Sequence, residues 1–392
     1  MSQEMNRVLV GTPPPPPTPV ASAIVEVAKA HGISPIKQFS EIASLFFGAP
    51  KLGSNEYYAA GLFRTDLTKA QKKQFVGVKS NLMLNQRLSP SNIASISDFL
   101  DNKVLYTSLL EHLGLSTTTL QAVVSNSHGF GELTTLRSTE AIEAFLLNEA
   151  KFPVFGKPIE GTKSIGTALF ASLDRKTQII TLGNGDTTTV SELAREIFED
   201  FADGFVFQNA VTQHKDVNAV IGSAIGTVRF VTLMQDGAPQ VLYAVWKIPA
   251  PDAMSDNFWQ KGSLIAEVEV STGQIKQARR GTGMEAEQIE THPVSDVKLA
   301  EFTLPHWDSA LTLVQKCHGL TPENGILGWD IAIAPDGPLV IECNTSPFHT
   351  LYQVATGRGI LNDDFSPKFA KVFARNEAIT NQQKAAAKSQ KR

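Results

Sequence analysis

The sequence predicts an α+β fold, and three observations carry that reading. Helical periodicity comes first, strand-like runs then follow in hairpin-like succession, and one further helix over residues 307–317 interrupts them. In chain order, residues 1–20 contain five consecutive prolines, Pro13 to Pro17. Such a run is stiff, extended and unable to build a core, so it is read as a disordered tail; no flanking residues mark it as an SH3-type ligand. ASAIVEVAKAHG and SPIKQFSEIASLFFG are each amphipathic and each end on glycine, which predicts two helices. A third is expected over 55–63, giving a helical N-terminal region over 21–95, and two more over 96–113 and 140–150. The texture then changes to strands in FPVFGKP, TALFASL, TQIITLG, GFVFQNAV, GSAIGTVRFVTLM, PQVLYAVWKI and SLIAEVEV. The basic, low-complexity stretch over 366–392 is expected to be a helix fraying into a tail.

Composition narrows the function classes. The 392 residues are 42% hydrophobic and 19% charged, with a formal net charge of −4, which suits two or three packed units of a soluble protein. A mildly acidic total gives no basis for general nucleic-acid binding. No run approaches the roughly 18 apolar residues that suggest a membrane span. The first twenty residues lack the apolar core of a secretory signal. Two cysteines, Cys317 and Cys343, make no disulfide framework and fit a reducing cytoplasm. Nothing in the sequence sets the oligomeric state.

The sharpest feature is GWDIAIAPDGPLVIECN, residues 328–344. Two alternating runs flank Pro335-Asp336-Gly337, which predicts a β-hairpin. With a three-residue loop and Gly337 at positive φ, Ala334 would face Pro338. Counting outward then puts Asp330 opposite Glu342 and Gly328 opposite Asn344. Period two places Glu342 and Asn344 on one face and Ile341 and Cys343 on the other. Two facing carboxylates repel by tenths of a kcal/mol to about one when exposed, and by more when buried, so a cation is required. Asp330, Glu342 and the Asn344 amide oxygen form a hard-oxygen set suited to Mg²⁺ or Mn²⁺ shared with substrate phosphates. The alternative, a solvated polar edge, sits badly with the apolar GWDIAI and PLVIE.

A metal of this kind calls for a phosphate nearby. There is no Walker A sequence: Gly156-Lys157 is followed by Pro158, and Lys163-Ser164 lacks its preceding glycine. GNGDTT lacks the last glycine of a dinucleotide fingerprint. FPVFGKPIEGTKSIGTALF instead delivers Lys157 at a strand end. It continues into the small polar loop Gly161-Thr162-Lys163-Ser164-Ile165-Gly166-Thr167, whose N–H groups and hydroxyls can close over phosphates.

The collinear order Lys103, Lys157, glycine-rich loop, Gln208, Arg229, Asp330 and Glu342-Cys343-Asn344 resembles the ATP-grasp superfamily. More narrowly it resembles the sugar-transfer associated ATP-grasp proteins. The matching pieces run from KLGSNEYY to GRGIL and include Asp101-Asn102-Lys103, FGKPIEGTKSIG, FVFQNAVTQH, GTVRFVTLM, SDNFWQKG, HPVSD with LPHW, and the hairpin. Two positions depart: Lys261 stands where a second glycine is expected beside Gly262, and Cys343 replaces a small residue. Both bear on the acceptor side or the loop fit.

The resemblance implies an ATP-grasp fold, with α+β subdomains over 96–210 and 211–365 clamping ATP. It implies that Lys103, Lys157, Gly161, Thr162, Lys163, Ser164 and Gly166 contact the phosphates. Gln208 would read the adenine edge, and Asp330, Glu342 and Asn344 would hold Mg²⁺ or Mn²⁺. Arg229, flanked by β-branched and aromatic residues, needs an anion. That anion is a phosphate, a substrate carboxylate or oxyanion, or else a structural partner such as Glu267 or Glu269. Arg358 is a further catalytic candidate beside Arg229 and Lys157. Asn257 and His349 are acceptor-pocket candidates, with His349 better suited to a structural role. The implied activity is an ADP-forming ligase that turns a small-molecule carboxylate into an acylphosphate and joins it to an amine, in sugar, polysaccharide or small-metabolite biosynthesis. Phosphoryl transfer to a hydroxyl acceptor is the alternative. A non-enzymatic ATP-binding protein would be expected to lack a metal ligand or a phosphate lysine, and none is missing.

Overall fold

The computed structural model describes residues 7–9, 20–159, 166–202, 204–251 and 253–389. The proline run and the loop residues Gly161, Thr162, Lys163 and Ser164 lie outside them. Among the described residues, no helix is long and apolar enough to cross a membrane.

Two seven-stranded sheets organise the described residues. The first holds β1 (Leu120–Val124), β2 (Thr135–Leu136), β3 (Val154–Pro158), β4 (Ala168–Asp174), β5 (Ile179–Leu182), β6 (Thr187–Thr189) and β7 (Phe205–Asn209). Its order is β2-β1-β7-β3-β4-β5-β6, with β1 and β2 parallel and the other neighbours antiparallel. The second holds β8 (Val228–Gln235), β9 (Ala238–Ile248), β10 (Leu264–Val268), β11 (Ile275–Arg280), β12 (Glu287–Ile289), β13 (Ile326–Ala334) and β14 (Gly337–Asn344). It is antiparallel throughout, in the order β12-β11-β10-β9-β8-β13-β14.

Helices Thr139–Asn148 and Val190–Phe201 cover one face of the first sheet, packing Ile142, Phe145, Leu193 and Ile197 against Phe170, Phe205 and Phe207. Gly156 of β3 allows this: a Cβ there would lie 2.6 Å from Phe170 and 2.7 Å from Phe205. Lys157, one residue on, therefore emerges on the opposite face. The second sheet is covered on both sides. Helix Trp307–Gly319 packs on one face, and helices Val78–Leu88, Thr350–Thr356 and Ser366–Ser389 on the other. That double burial explains the near-continuous apolar runs of β8 and β13.

Several elements differ from expectation. The helix expected over 96–113 is two, Ser97–Asp101 and Lys103–His112, because Asn102 is extended (ψ 105°) and its side chain accepts the N–H groups of Val104 and Leu105. The helix over 55–63 shortens to Ser54–Ala59. Helices Val78–Leu88, Val190–Phe201, Lys215–Ile221 and Thr350–Thr356, and strands β1, β2, β6, β11 and β12, were not expected. Residues 7–9 are not tail. Leu9 is buried in the first sheet's core, and the N–H groups of Val8 and Leu9 donate to the Glu196 carboxylate at 2.9 and 2.7 Å. The basic C-terminal stretch stays helical to Ser389, with Phe369 and Val372 buried.

Candidate functional site

The site is built on β13 and β14. Asp330 pairs with Glu342 and Gly328 with Asn344, the register the sequence predicts, but by another route. Ala334 pairs with Gly337, not Pro338, so the turn is the two-residue Pro335-Asp336. Ile331 then pairs with Val340 and Asp330 with Glu342, which leaves Ile341 as the extra residue of a β-bulge. The bulge cancels the one-residue difference at the turn.

The cation demanded by the facing acids comes from the sheet itself. Arg229 on β8 is the cross-strand neighbour of Asp330 and binds it with two hydrogen bonds, Nε–Oδ1 2.5 Å and Nη2–Oδ2 2.9 Å. Lys247 of β9 adds Nζ–Oδ2 at 3.1 Å and also pairs with Asp256 at 2.8 Å. Thr227 donates its hydroxyl to the same Asp256 carboxylate. Burial works against the Asp330 charge, yet Arg229 and Lys247 hold its carboxyl well below the usual carboxylate range. Burial likewise lowers the pKa of Lys247, but Asp256 and Asp330 more than offset it and the net shift is upward. Arg229 thus has an acidic partner, but neither Glu267 nor Glu269; those two pair with Lys276 at 3.2 and 3.6 Å.

Across from this cluster, two lysines reach over from the first sheet's side. Lys157 is 4% exposed and donates to the Ile341 carbonyl, at the bulge, at 3.3 Å. Burial lowers its pKa from 10.5 to about 8, against the opposing pull of Glu342. Lys103 opens helix Lys103–His112, where the helix dipole disfavours a cation, and donates to the Ile159 carbonyl at 3.0 Å. Its Nζ lies 3.9 Å from Glu342 Oε2. Glu342 keeps 28% of its side-chain surface exposed, and desolvation in the cleft followed by the Asp330 charge raises its pKa. Asn344 Nδ2 is buried without a hydrogen-bond partner among the described residues. Gln208 of β7 is buried and accepts from Thr118 Oγ1 at 3.3 Å. Nearby, Val340 N–H donates to the Ser116 carbonyl and ties β14 to the segment entering β1.

Other candidates lie elsewhere or are occupied. Arg358 pairs with Asp364 at 2.7 Å, with over half its side-chain surface exposed, and does not join the cluster. Gly166 (φ 78°) donates its N–H to the Leu9 carbonyl, and its Cα packs on Phe201 and Pro158, so that N–H is not turned to the cleft. His349 is fully buried between Tyr243 Oη (2.9 Å) and Asn85 Oδ1 (3.1 Å), and burial pushes its pKa down to about 3, a structural histidine. Asn257 shapes its own loop, its carbonyl accepting from Gln260 N–H and Ser263 Oγ. Cys343 pairs with Trp329 and sits in the core, its thiol pKa raised by burial. Lys247 and Asp256 escaped the sequence reading, although a lysine inside PQVLYAVWKI gives the same signal as the arginine in GTVRFVTL.

Residues 83–366 match the family model described as sugar-transfer associated ATP-grasp. No curated protein matches the chain. Among solved structures, a D-alanine-D-alanine ligase from Coxiella burnetii is similar at 13% identity and TM-score 0.40, covering 76% of this chain and 63% of that one. A D-alanine--D-alanine ligase from Bacillus anthracis gives 12% and 0.40, covering 73% and 71%. The biotin carboxylase domain of the Hydrogenobacter thermophilus 2-oxoglutarate carboxylase gives 12% and 0.39, covering 71% and 46%. The chain thus spans less than two thirds of the Coxiella and Hydrogenobacter chains it is similar to.

Proposed function

Because the chain belongs to the sugar-transfer associated ATP-grasp family, we propose that it is an ATP-dependent, ADP-forming ligase joining a carboxylate to an amine. In this reading residues 96–210 and 211–365 are the two halves of the clamp. The observation that carries the reading is the convergence of Lys103 and Lys157 on β14, beside Glu342 and the Ile341 carbonyl. Among the described residues, Arg229 and Lys247 bring the cations to four against three acids, Asp330, Glu342 and Asp256. A buried excess of positive charge suits a polyphosphate.

The donor set fits Mg²⁺ unevenly. Glu342 is partly open to the cleft with its nearest cation 3.9 Å away and would hold the ion. Asn344 beside it would join through Oδ1, while its Nδ2, buried without a partner among the described residues, is a donor suited to a phosphate oxygen. Asp330, both oxygens already hydrogen-bonded, would join through a remaining lone pair. The metal, when bound, would neutralise charge on the terminal phosphates.

The chain's own residues then position and balance charge. Lys103 and Lys157 hold the γ-phosphate oxygens while a substrate carboxylate oxygen attacks phosphorus. The new P–O bond forms as the bond to the β-phosphate oxygen breaks, and ADP leaves. An amine nitrogen next attacks the acyl carbon, loses its proton, and inorganic phosphate departs. Arg229, fixed by Asp330 through Nε and Nη2, offers Nη1 to the developing oxyanion. Hydroxylamine tests this: the acylphosphate should be captured as a hydroxamate in step with ADP release, and Glu342→Gln should yield neither. ADP release with a stable phosphorylated hydroxyl product, and no hydroxamate across a carboxylate panel, contradicts the ligase and favours the kinase.

A further inference from the structure

Helix Pro35–Phe47 is apolar on two opposite sides. Gln38 and Leu45 are buried against the neighbouring helices, whereas Ile36, Phe39, Phe46 and Phe47 are 82%, 59%, 52% and 79% exposed. At 100° per residue these four, with Ala43, fall within about a third of the helix circumference. Helix Val78–Leu88 likewise has apolar residues on both sides: Leu84 and Leu88 are buried with Ser80, Asn81 and Asn85, while Val78, Leu82 and Met83 face solvent. The two helices are joined where Ser80 Oγ donates to the Pro50 carbonyl, just past Phe47. An exposed apolar surface of this extent calls for a partner.

The charge around it selects that partner. Residues 20–90 hold nine Lys or Arg against four Asp or Glu, although the whole chain stands at −4. Glu41, bound by Tyr57 and the buried Lys72, and Glu56, bound by the N–H groups of Gly53 and Val78, are engaged inward, which leaves eight cations against two acids. Lys37 and Lys79 remain exposed beside Ile36 and Val78, and Lys51 Nζ reaches the Phe47 carbonyl. A two-fold pair of such faces would bring like charges together. We propose that the outward face of helices Pro35–Phe47 and Val78–Leu88 docks on an anionic lipid bilayer, aromatic rings entering the interface and lysines meeting acidic headgroups.

Vesicle co-sedimentation with the full chain tests this. The protein should pellet with equimolar phosphatidylcholine and phosphatidylglycerol vesicles and not with phosphatidylcholine alone, and salt should release it. Phe39→Ser with Phe47→Ser should weaken partitioning by about 100-fold or more. Lys37→Glu with Lys79→Glu, which leaves every apolar side chain in place, should weaken it by at least about 25-fold. Circular dichroism and melting confirm that both variants fold. The proposal is overturned by absence of pelleting, by equal pelleting of wild type and variants, or by a wild-type dimer that the Phe substitutions convert to monomer.

Discussion

Removing the charge of Lys157 should stabilise the protein while disabling it. Burial takes the Lys157 pKa from 10.5 to about 8. At roughly 1.4 kcal/mol per unit, holding that charge inside the fold costs about 3 kcal/mol at neutral pH. Lys157→Met removes this cost and loses the hydrogen bond to the Ile341 carbonyl, about 1 kcal/mol. The variant should therefore be about 2 kcal/mol more stable than wild type at pH 7. The sign with pH follows from proton counts. Between pH 8 and 10.5 the unfolded chain binds more protons at this lysine than the folded one, so wild-type stability gains on the variant as pH rises. The gap should close within that window and reverse by about 1 kcal/mol above it, where only the lost hydrogen bond remains. Urea unfolding of both proteins at several pH values reads this directly. A variant no more stable than wild type at pH 7, or a gap that does not change with pH, refutes the claim that Lys157 is a strained buried cation. ATP should narrow the gap at neutral pH, since the wild type would gain more from binding than the variant.

Three further outcomes follow from neighbouring contacts. Lys247→Met strips a cation from both Asp330 and Asp256 and should lower stability by about 3–5 kcal/mol, read as a shifted urea midpoint; adding Asp256→Asn should restore part of it. Gly156→Ala puts a Cβ against the Phe170 and Phe205 rings and should cost about 1–3 kcal/mol. Because Lys157 is the next residue, the same change should weaken ATP binding measured by calorimetry. Neither cysteine should react with iodoacetamide in the folded protein at pH 8, since both are buried with raised thiol pKa values, and both should react after denaturation.

How much of this was legible in the sequence varies from residue to residue. The Asp330–Glu342 pairing was read from alternation, and it holds because two features the sequence does not announce cancel: a two-residue turn and a bulge at Ile341. The need for a cation was legible, but its source was not. Arg229 lies 101 residues from Asp330 and Lys247 lies 83 away, separations at which local pattern carries no pairing information. Lys103 gave a local signal, a cation at a helix N-terminus, that becomes visible only once Asn102 is recognised as the cap that splits the helix. Helix Val78–Leu88 was missed because its buried face mixes Leu84 and Leu88 with Ser80, Asn81 and Asn85 while Val78, Leu82 and Met83 lie outside, so no clean apolar stripe stands out. There Asn81 and Asn85 donate to the Pro347 carbonyl and steady the loop that follows β14. Strands β1, β2 and β6 are five residues or fewer and stand without a long alternating run.

The central claim is a nucleotide site between Lys103 and Lys157 on one side and Glu342 with Asn344 on the other. Calorimetric titration of wild type, Lys157→Met and Glu342→Gln with ATP, with and without Mg²⁺, tests it most directly. The account predicts one site in wild type that needs Mg²⁺ for full affinity, weakened at least about tenfold in each variant. Equal affinity in all three proteins, or binding indifferent to Mg²⁺, would contradict it.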